Sequence, residues 1–276
     1  MVKISRLNES LLEMVYFFPM KAEFEYILGK KVNAIYKPSP QKEAWLGFDQ
    51  AWTNEEISED EFYEILGNKG KTPRFLAYIM QFKVVEKQKH YKKKARTFTV
   101  PSHYNDGDLY YRSPLKTEPS NKGTTSQHEL LLNIKSEFEF IEVYYACPML
   151  FSQSDLFHPD FMKDENKFRK HLLELLVLVD VDTAPDPSTS SWKSSGNHHI
   201  MWQDKSGSDI YWCSEPKKGK KDTFKEWIEG LDQKIMSNEQ LIVSLKELKG
   251  IKPDKEDEQQ AFRDVYSKLT ILDIGN

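Results

Sequence analysis

Two strong polar residues, Gln81 and Lys83, close an otherwise almost wholly apolar run, Phe75-Leu-Ala-Tyr-Ile-Met-Gln-Phe-Lys-Val-Val85. Bounded by Thr72-Pro73 and Glu86-Lys87, the run reads as a strand buried on both faces, in the middle of a sheet covered by helices. Strand alternation puts Gln81 and Lys83 on one face and Met80, Phe82 and Val84 on the other. An amide beside an ammonium is costly to bury unless both have partners, and a metal ion and a phosphate are partners of the right kind. If the strand instead ends at Gln81, the pair is solvated. Asp49 is a second such residue: inside Ala44-Trp-Leu-Gly-Phe-Asp-Gln-Ala-Trp52 it is flanked by Phe48 and Trp52. It requires a cation, a set of hydrogen bonds or an exit to water.

These groups need elements to position them. Lys21-Ala-Glu-Phe-Glu-Tyr-Ile-Leu-Gly29 follows Pro19 and ends in Gly, which predicts a short helix with Phe24, Ile27 and Leu28 on one stripe. Glu23 and Glu25 flank that stripe, either leaning over an adjacent sheet or serving as ordinary boundary charges. Val32–Tyr36 and Ala44–Trp52 read as two strands joined around Pro38-Ser-Pro40. The acid-rich stretch 54–67 reads as a solvated surface helix inserted before the central strand; its carboxylates follow no calcium-loop pattern.

Directly after Lys83 the chain turns basic. Lys83, Lys87, Lys89, Lys92, Lys93, Lys94 and Arg96 stand against the single acid Glu86, with His90 and Tyr91 interleaved. Such a cluster neutralises backbone phosphates without reading sequence, or else is a solvated extension; leaving the strand end that carries Gln81 and Lys83 favours phosphate. A polar linker over about 102–125, holding Tyr110-Tyr-Arg112, leads to Ser126-Gln-His-Glu129, a capping box that opens a helix to Ser136. A strand over 138–147 follows.

Composition bounds the reading. In 276 residues, 39% are apolar and 13% aromatic, enough for a sizeable core. No apolar run is long enough to span a bilayer, and the start lacks a secretory signal, so a soluble cytoplasmic protein without a membrane partner is expected. Cys147 and Cys213 lie in apolar strand-like runs without zinc-site spacing and read as buried thiols. A net charge of −4 excludes a nucleic-acid binder by bulk charge, so a binding face must be local.

The order helix, strand, strand, inserted helix, buried strand, basic segment, helix, strand resembles the common core of the PD-(D/E)XK nuclease superfamily over about residues 15–150. That resemblance implies an α/β fold of the restriction-endonuclease type, a central mixed sheet flanked by helices, with residues 1–150 as the nuclease core. It assigns the helix glutamate to Glu23 or Glu25, the second-strand aspartate to Asp49, and the two-apart pair to Gln81 and Lys83. Gln81 stands where the family usually has Asp or Glu, and Gln-x-Lys variants occur in the superfamily. Asp49, Gln81, Glu23 and Glu25 are thereby the candidate ligands of Mg²⁺ or Mn²⁺, with Lys83 orienting the attacking water or stabilising charge at phosphorus. Lys87, Lys89, Lys92, Lys93, Lys94 and Arg96 become the nucleic-acid contacts, with DNA ahead of RNA as substrate.

Residues 151–276 read as an α/β extension of the same domain without a separate catalytic motif. Residues 167–179 suggest a helix running into a strand, and 198–202 with 210–214 a hairpin. Adjacent His198 and His199 point to opposite strand faces and make poor joint metal ligands. Lys217-Lys-Gly-Lys-Lys221 reads as a second basic loop, followed by helices over 223–249 and 254–272. Two function classes follow. One is a metal-dependent DNA endonuclease of prokaryotic restriction or anti-phage defence, as a homo-oligomer or with a partner protein of such a system. The other is a catalytically weak nucleic-acid-binding or scaffold subunit.

Overall fold

The computed structural model describes residues 7–28, 31–39, 49–53, 57–67, 77–89, 101, 104–105, 107–117, 125–138, 141–156, 163–185, 198–203, 209–213 and 217–230. They form a mixed α/β fold with two sheets. The first sheet has six strands: β1 (Ala34–Tyr36), β2 (Gln50–Thr53), β3 (Ala77–Phe82), β6 (Ile141–Pro148), β7 (Leu176–Asp180) and β11 (Lys221–Thr223), in that spatial order. β1, β2 and β3 are antiparallel neighbours, β3 and β6 run parallel, and β7 and β11 continue antiparallel. The second sheet is ordered β10 (Lys217–Gly219), β9 (Ile210–Cys213), β8 (His199–Trp202), β5 (Tyr110–Pro114) and β4 (Glu86–Gln88), antiparallel throughout.

Helix α1 (Glu9–Leu28) starts well before Pro19, not after it as the start and stop signals of the sequence suggest. Asn8 opens it by accepting from the Leu11 N–H at 2.8 Å. Leu12, Tyr16, Met20 and Phe24 recur every four residues and are all buried. Pro19 lacks the N–H that would close its own turn and costs about 3 kcal/mol in a helix interior. The buried stripe continues through it and outweighs that cost. Phe24 packs edge-on against Trp52 and Tyr78, and Tyr16 lies 5.9 Å from Phe82, so α1 covers the face of β2 and β3 carrying the even-numbered residues.

The inserted helix is α2 (Glu59–Gly67), and α3 (Gln127–Glu137) carries the expected capping box at Ser126 and Glu129. The short α4 (Gln153–Leu156) precedes α5 (Glu165–Glu174), which runs into β7 as expected; α6 (Phe224–Glu229) follows, capped by Thr223 and Glu226 in a second box. Two stretches read as loops are strands instead. Tyr110–Pro114, placed in a linker, is β5, because Tyr110, Tyr111 and Ser113 are buried between neighbours. Lys217–Lys221 is no free loop: β10 pairs in the second sheet and β11 in the first, tying the two together. Thus β7 and β11 extend the first sheet, while β8, β9 and β10 join β4 and β5. The expected strand stretches 44–48 and 75–76, and the helical sequence beyond Gly230, lie outside the described residues.

Candidate active site

The parallel pair β3 and β6 fixes the centre. Lys83 is the first residue past β3, and its N–H still donates to the Ala146 carbonyl at 2.9 Å, so its side chain leaves from the ordered end of the ladder. That side chain is 1% exposed, and Nζ donates to Glu9 Oε1 at 3.2 Å. A nearby carboxylate compensates an ammonium taken out of water, which is how a buried Lys is tolerated. The solvated reading of the polar pair is excluded for both members, since Gln81 is also 1% exposed.

Asp49 stands one residue before β2. The register Gln50↔Met80, continued one step, sets Asp49 beside Gln81. Its Oδ2 accepts the Phe82 N–H at 3.2 Å, so the carboxylate folds back onto the end of β3, one residue from Lys83. Glu9 of the first turn of α1 and Lys83 of the chain leaving β3 thus meet in an ion pair, and Asp49 of the chain entering β2 is tied to the β3 backbone one residue before Lys83.

Gln81 pairs in register with Tyr145 of β6, and among the described residues neither its Oε1 nor its Nε2 has a hydrogen-bond partner. Beside it the Tyr145 hydroxyl meets His128 Nδ1 at 2.7 Å. Burial, with His198 adding to it, pushes His128 down to about 3, so the ring is neutral. Burial also holds the Tyr145 hydroxyl well above its ordinary range, and the nearby Cys147 and Glu9 reinforce it. The Cys147 thiol is pushed up to about 12, by burial first, and Cys213 likewise; both are buried free thiols.

The helix carboxylate near Lys83 is Glu9, and neither Glu23 nor Glu25. Glu23 faces Arg169 of α5 at 4.0 Å. Glu25 accepts the Val32 N–H at 2.9 Å and pairs with Lys21 at 2.5 Å; burial opposes its charge, but these partners hold it below the usual carboxylate range. Glu23 and Glu25 stand 14 and 16 residues beyond Glu9 on the same helix, about 21 to 24 Å along its axis. They are not brought to Asp49, Gln81 and Lys83. Glu13, one turn after Glu9, is buried and binds Lys37 and Gln50 Nε2, the latter at 3.0 Å, which locks α1 to β2. The signal for both was present: Glu9 and Glu13 flank Leu12 at the start of the stripe that continues to Phe24.

Of the expected nucleic-acid contacts, Lys87 and Lys89 are exposed on β4 and just after it, Lys87 lying 5.9 Å over the Phe151 ring. Lys92, Lys93, Lys94 and Arg96 lie outside the described residues. His198 and His199 are both buried.

Among the described residues no group of three or more His, Cys, Asp and Glu side chains is disposed to hold a metal ion. Mg²⁺ needs less than that, since it takes one or two carboxylates, keeps several waters and uses substrate phosphate oxygens. Asp49, set beside Gln81 by the β2–β3 register, offers one carboxylate, Glu9 offers another at the Lys83 ammonium, and the buried Gln81 Oε1, without a hydrogen-bond donor among the described residues, is an acceptor suited to a hard cation. These are oxygen groups of the type a hydrated divalent ion takes, and they form no closed cage. No protein-family model, curated protein or solved structure matches this chain.

Proposed function

We propose that this protein is a metal-dependent nuclease of the PD-(D/E)XK type that hydrolyses phosphodiester bonds, with DNA as its substrate. The observation that carries the reading is the buried Lys83 ammonium paired with Glu9 just past the end of β3, with Asp49 held to the adjacent Phe82 N–H and the Gln81 amide without a hydrogen-bond partner among the described residues. The topology supports it: α1, the antiparallel β1-β2-β3, then α3 and a β6 parallel to β3, follow the order of that superfamily's core.

Asp49, Glu9 and Gln81 Oε1 are the groups that would hold Mg²⁺ or Mn²⁺. When bound, the ion supplies polarisation of the scissile phosphate and of a water. Lys83 contributes a fixed positive charge in a water-poor position, where it stabilises negative charge developing on the phosphate oxygens and orients the attacking water. Glu9 holds that ammonium in place. Asp49 is itself aimed by the Phe82 N–H, so its geometry is set by the β3 backbone. Exposed Lys87 and Lys89 lie on the chain leaving this end of β3, where they can meet the flanking phosphates.

One observation favours the scaffold reading: the Lys83 ammonium is already occupied by Glu9. The two readings part in one assay. Supercoiled plasmid and a structured RNA are incubated with purified protein and Mg²⁺, then with EDTA. The nuclease reading expects nicking or linearisation that EDTA stops; binding without hydrolysis of either nucleic acid in Mg²⁺ or Mn²⁺ would establish the scaffold instead.

A further inference from the structure

Three aromatic rings form a graded stack beside the chain that leaves β3. Trp202 of β8 and Tyr111 of β5 are register partners with ring centroids 6.3 Å apart. Phe151, three residues past β6, stacks on Tyr111 at 5.5 Å with an interplanar angle of 20°. Trp202 and Tyr111 are buried, while Phe151 is half-buried and ends the stack toward solvent. Asp155 fixes the backbone there, its carboxylate accepting the Phe151 and Ser152 N–H groups at 2.9 Å.

A cation accompanies the outermost ring. Lys87 of β4, the register partner of Tyr111, is exposed and holds its ammonium 5.9 Å over the Phe151 centroid. Exposed Lys89 follows two residues on. Glu86, the acid between Lys83 and Lys87, is bound to Arg112 at 2.6 Å, and alternation sets it on the other face of β4. An aromatic ring beside lysines is the combination that holds a single nucleic-acid strand, because every base has a face to stack and a phosphate to neutralise. Lys83 precedes Lys87 by four residues, a reach of at most about 14 Å along the extended chain, so one short stretch of strand spans both.

Access to Lys83 selects the same substrate. Its side chain is 1% exposed, so a phosphate that meets the ammonium must pass below the surface. A duplex is stiff over about 50 nm and does not bend sharply into such a recess without cost, whereas an unpaired strand does. We infer that the DNA strand entering this site is unpaired there, with a base beside the scissile position stacked on Phe151 and its phosphate on Lys87. This names the substrate class of the nuclease site proposed above and rests on that reading.

The test is fluorescence anisotropy of the full chain with a labelled single-stranded DNA oligonucleotide and with the blunt duplex of the same sequence, in EDTA so that hydrolysis does not intervene. Wild type should bind the single strand about tenfold tighter than the duplex. Phe151→Leu keeps an apolar side chain against Tyr111 and removes the ring; it should weaken single-strand binding about tenfold, within the range that one stacked base supplies, and Phe151→Trp should retain it. Lys87→Gln, an exposed change that leaves the packing intact, should lower the salt slope of single-strand binding by about 0.7. Duplex binding as tight as single-strand binding, wild-type affinity in Phe151→Leu, or an unchanged slope in Lys87→Gln overturns the inference. The outcome is separable from the plasmid assay: single-strand binding of this kind without hydrolysis in Mg²⁺ overturns the nuclease reading alone, and EDTA-sensitive plasmid cleavage with wild-type affinity in Phe151→Leu overturns this inference alone.

Discussion

The Lys83 ammonium donates to the Glu9 carboxylate at 3.2 Å across 74 residues of sequence, joining the end of the central strand to the first turn of the first helix. The pair is asymmetric: Lys83 is 1% exposed and Glu9 37%. The burial cost falls on the lysine, and Glu9 reduces it from a partly solvated position. Removing the acid should therefore hurt more than removing the base. Glu9→Gln leaves an uncompensated buried charge and should cost about 1–2 kcal/mol, less than a fully buried pair because water reaches the glutamate. Lys83→Met keeps the volume and removes the charge, and should change stability by under about 1 kcal/mol. Urea titrations of the two variants check the order; an equal or reversed ranking would show that the pair carries no buried cost.

Gln81 gives a test that links the site to metal without reference to turnover. Glutamate in its place puts a carboxylate in a fully buried position, so Gln81→Glu should be destabilised in EDTA by a few kcal/mol, on the order of what an unpaired buried charge costs after relaxation. Mg²⁺ or Mn²⁺ should restore much of the loss if the residue faces a cation site, because a ligand that binds only the folded state raises its stability. Melting temperature against metal concentration is the measurement. A deficit that no divalent ion repairs places Gln81 in the core alone.

Much of this arrangement is legible in the chain itself. The run to Phe82 marks the central strand, and Ser126 with Glu129 opens α3. What sequence reasoning misses has physical causes. Pro19 reads as a helix start, but four buried side chains at one-turn spacing carry α1 through it, and with the helix start go Glu9 and Glu13. Strand β5 reads as linker because Tyr110-Tyr-Arg-Ser-Pro114 lacks clean alternation, and its partners β4 and β8 are 22 and 85 residues away by the pairs Gln88↔Tyr110 and Pro114↔His199. Short strands whose hydrogen-bond partners are that distant have no local signature.

His128 should make the fold acid-sensitive. Above pH 6.5 its ring is neutral in both the folded and unfolded chain. As pH falls below 6.5 the unfolded ring takes up a proton that the folded one refuses until about pH 3, so stability falls across that window, by about 1.4 kcal/mol per pH unit for this group. His128→Gln removes the titration, and its stability should decline less steeply than wild type between pH 6 and 4. Parallel declines would show that His128 titrates normally.

The basic segment should supply affinity without chemistry. Changing Lys89, Lys92, Lys93 and Lys94 to Gln should weaken DNA binding. The log–log salt dependence should flatten by about 0.9 for each phosphate that is no longer neutralised. Lys83→Met should leave that slope nearly unchanged. An unaltered slope in the quadruple variant identifies the segment as a solvated surface.

The central claim, that Glu9, Asp49 and Lys83 form one hydrolytic site, is tested most directly by the Mg²⁺-dependent cleavage rate of wild type beside Lys83→Met, Asp49→Asn, Glu9→Gln and Glu23→Gln, each first shown to be folded. Wild type should cleave and stop with EDTA. The first three variants should lose about 100-fold or more while still binding DNA, as removal of a transition-state charge or metal ligand requires. Glu23→Gln, whose carboxylate faces Arg169, should cleave like wild type. Cleavage by Lys83→Met at the wild-type rate, or loss of activity in Glu23→Gln with Glu9→Gln unaffected, would contradict the account.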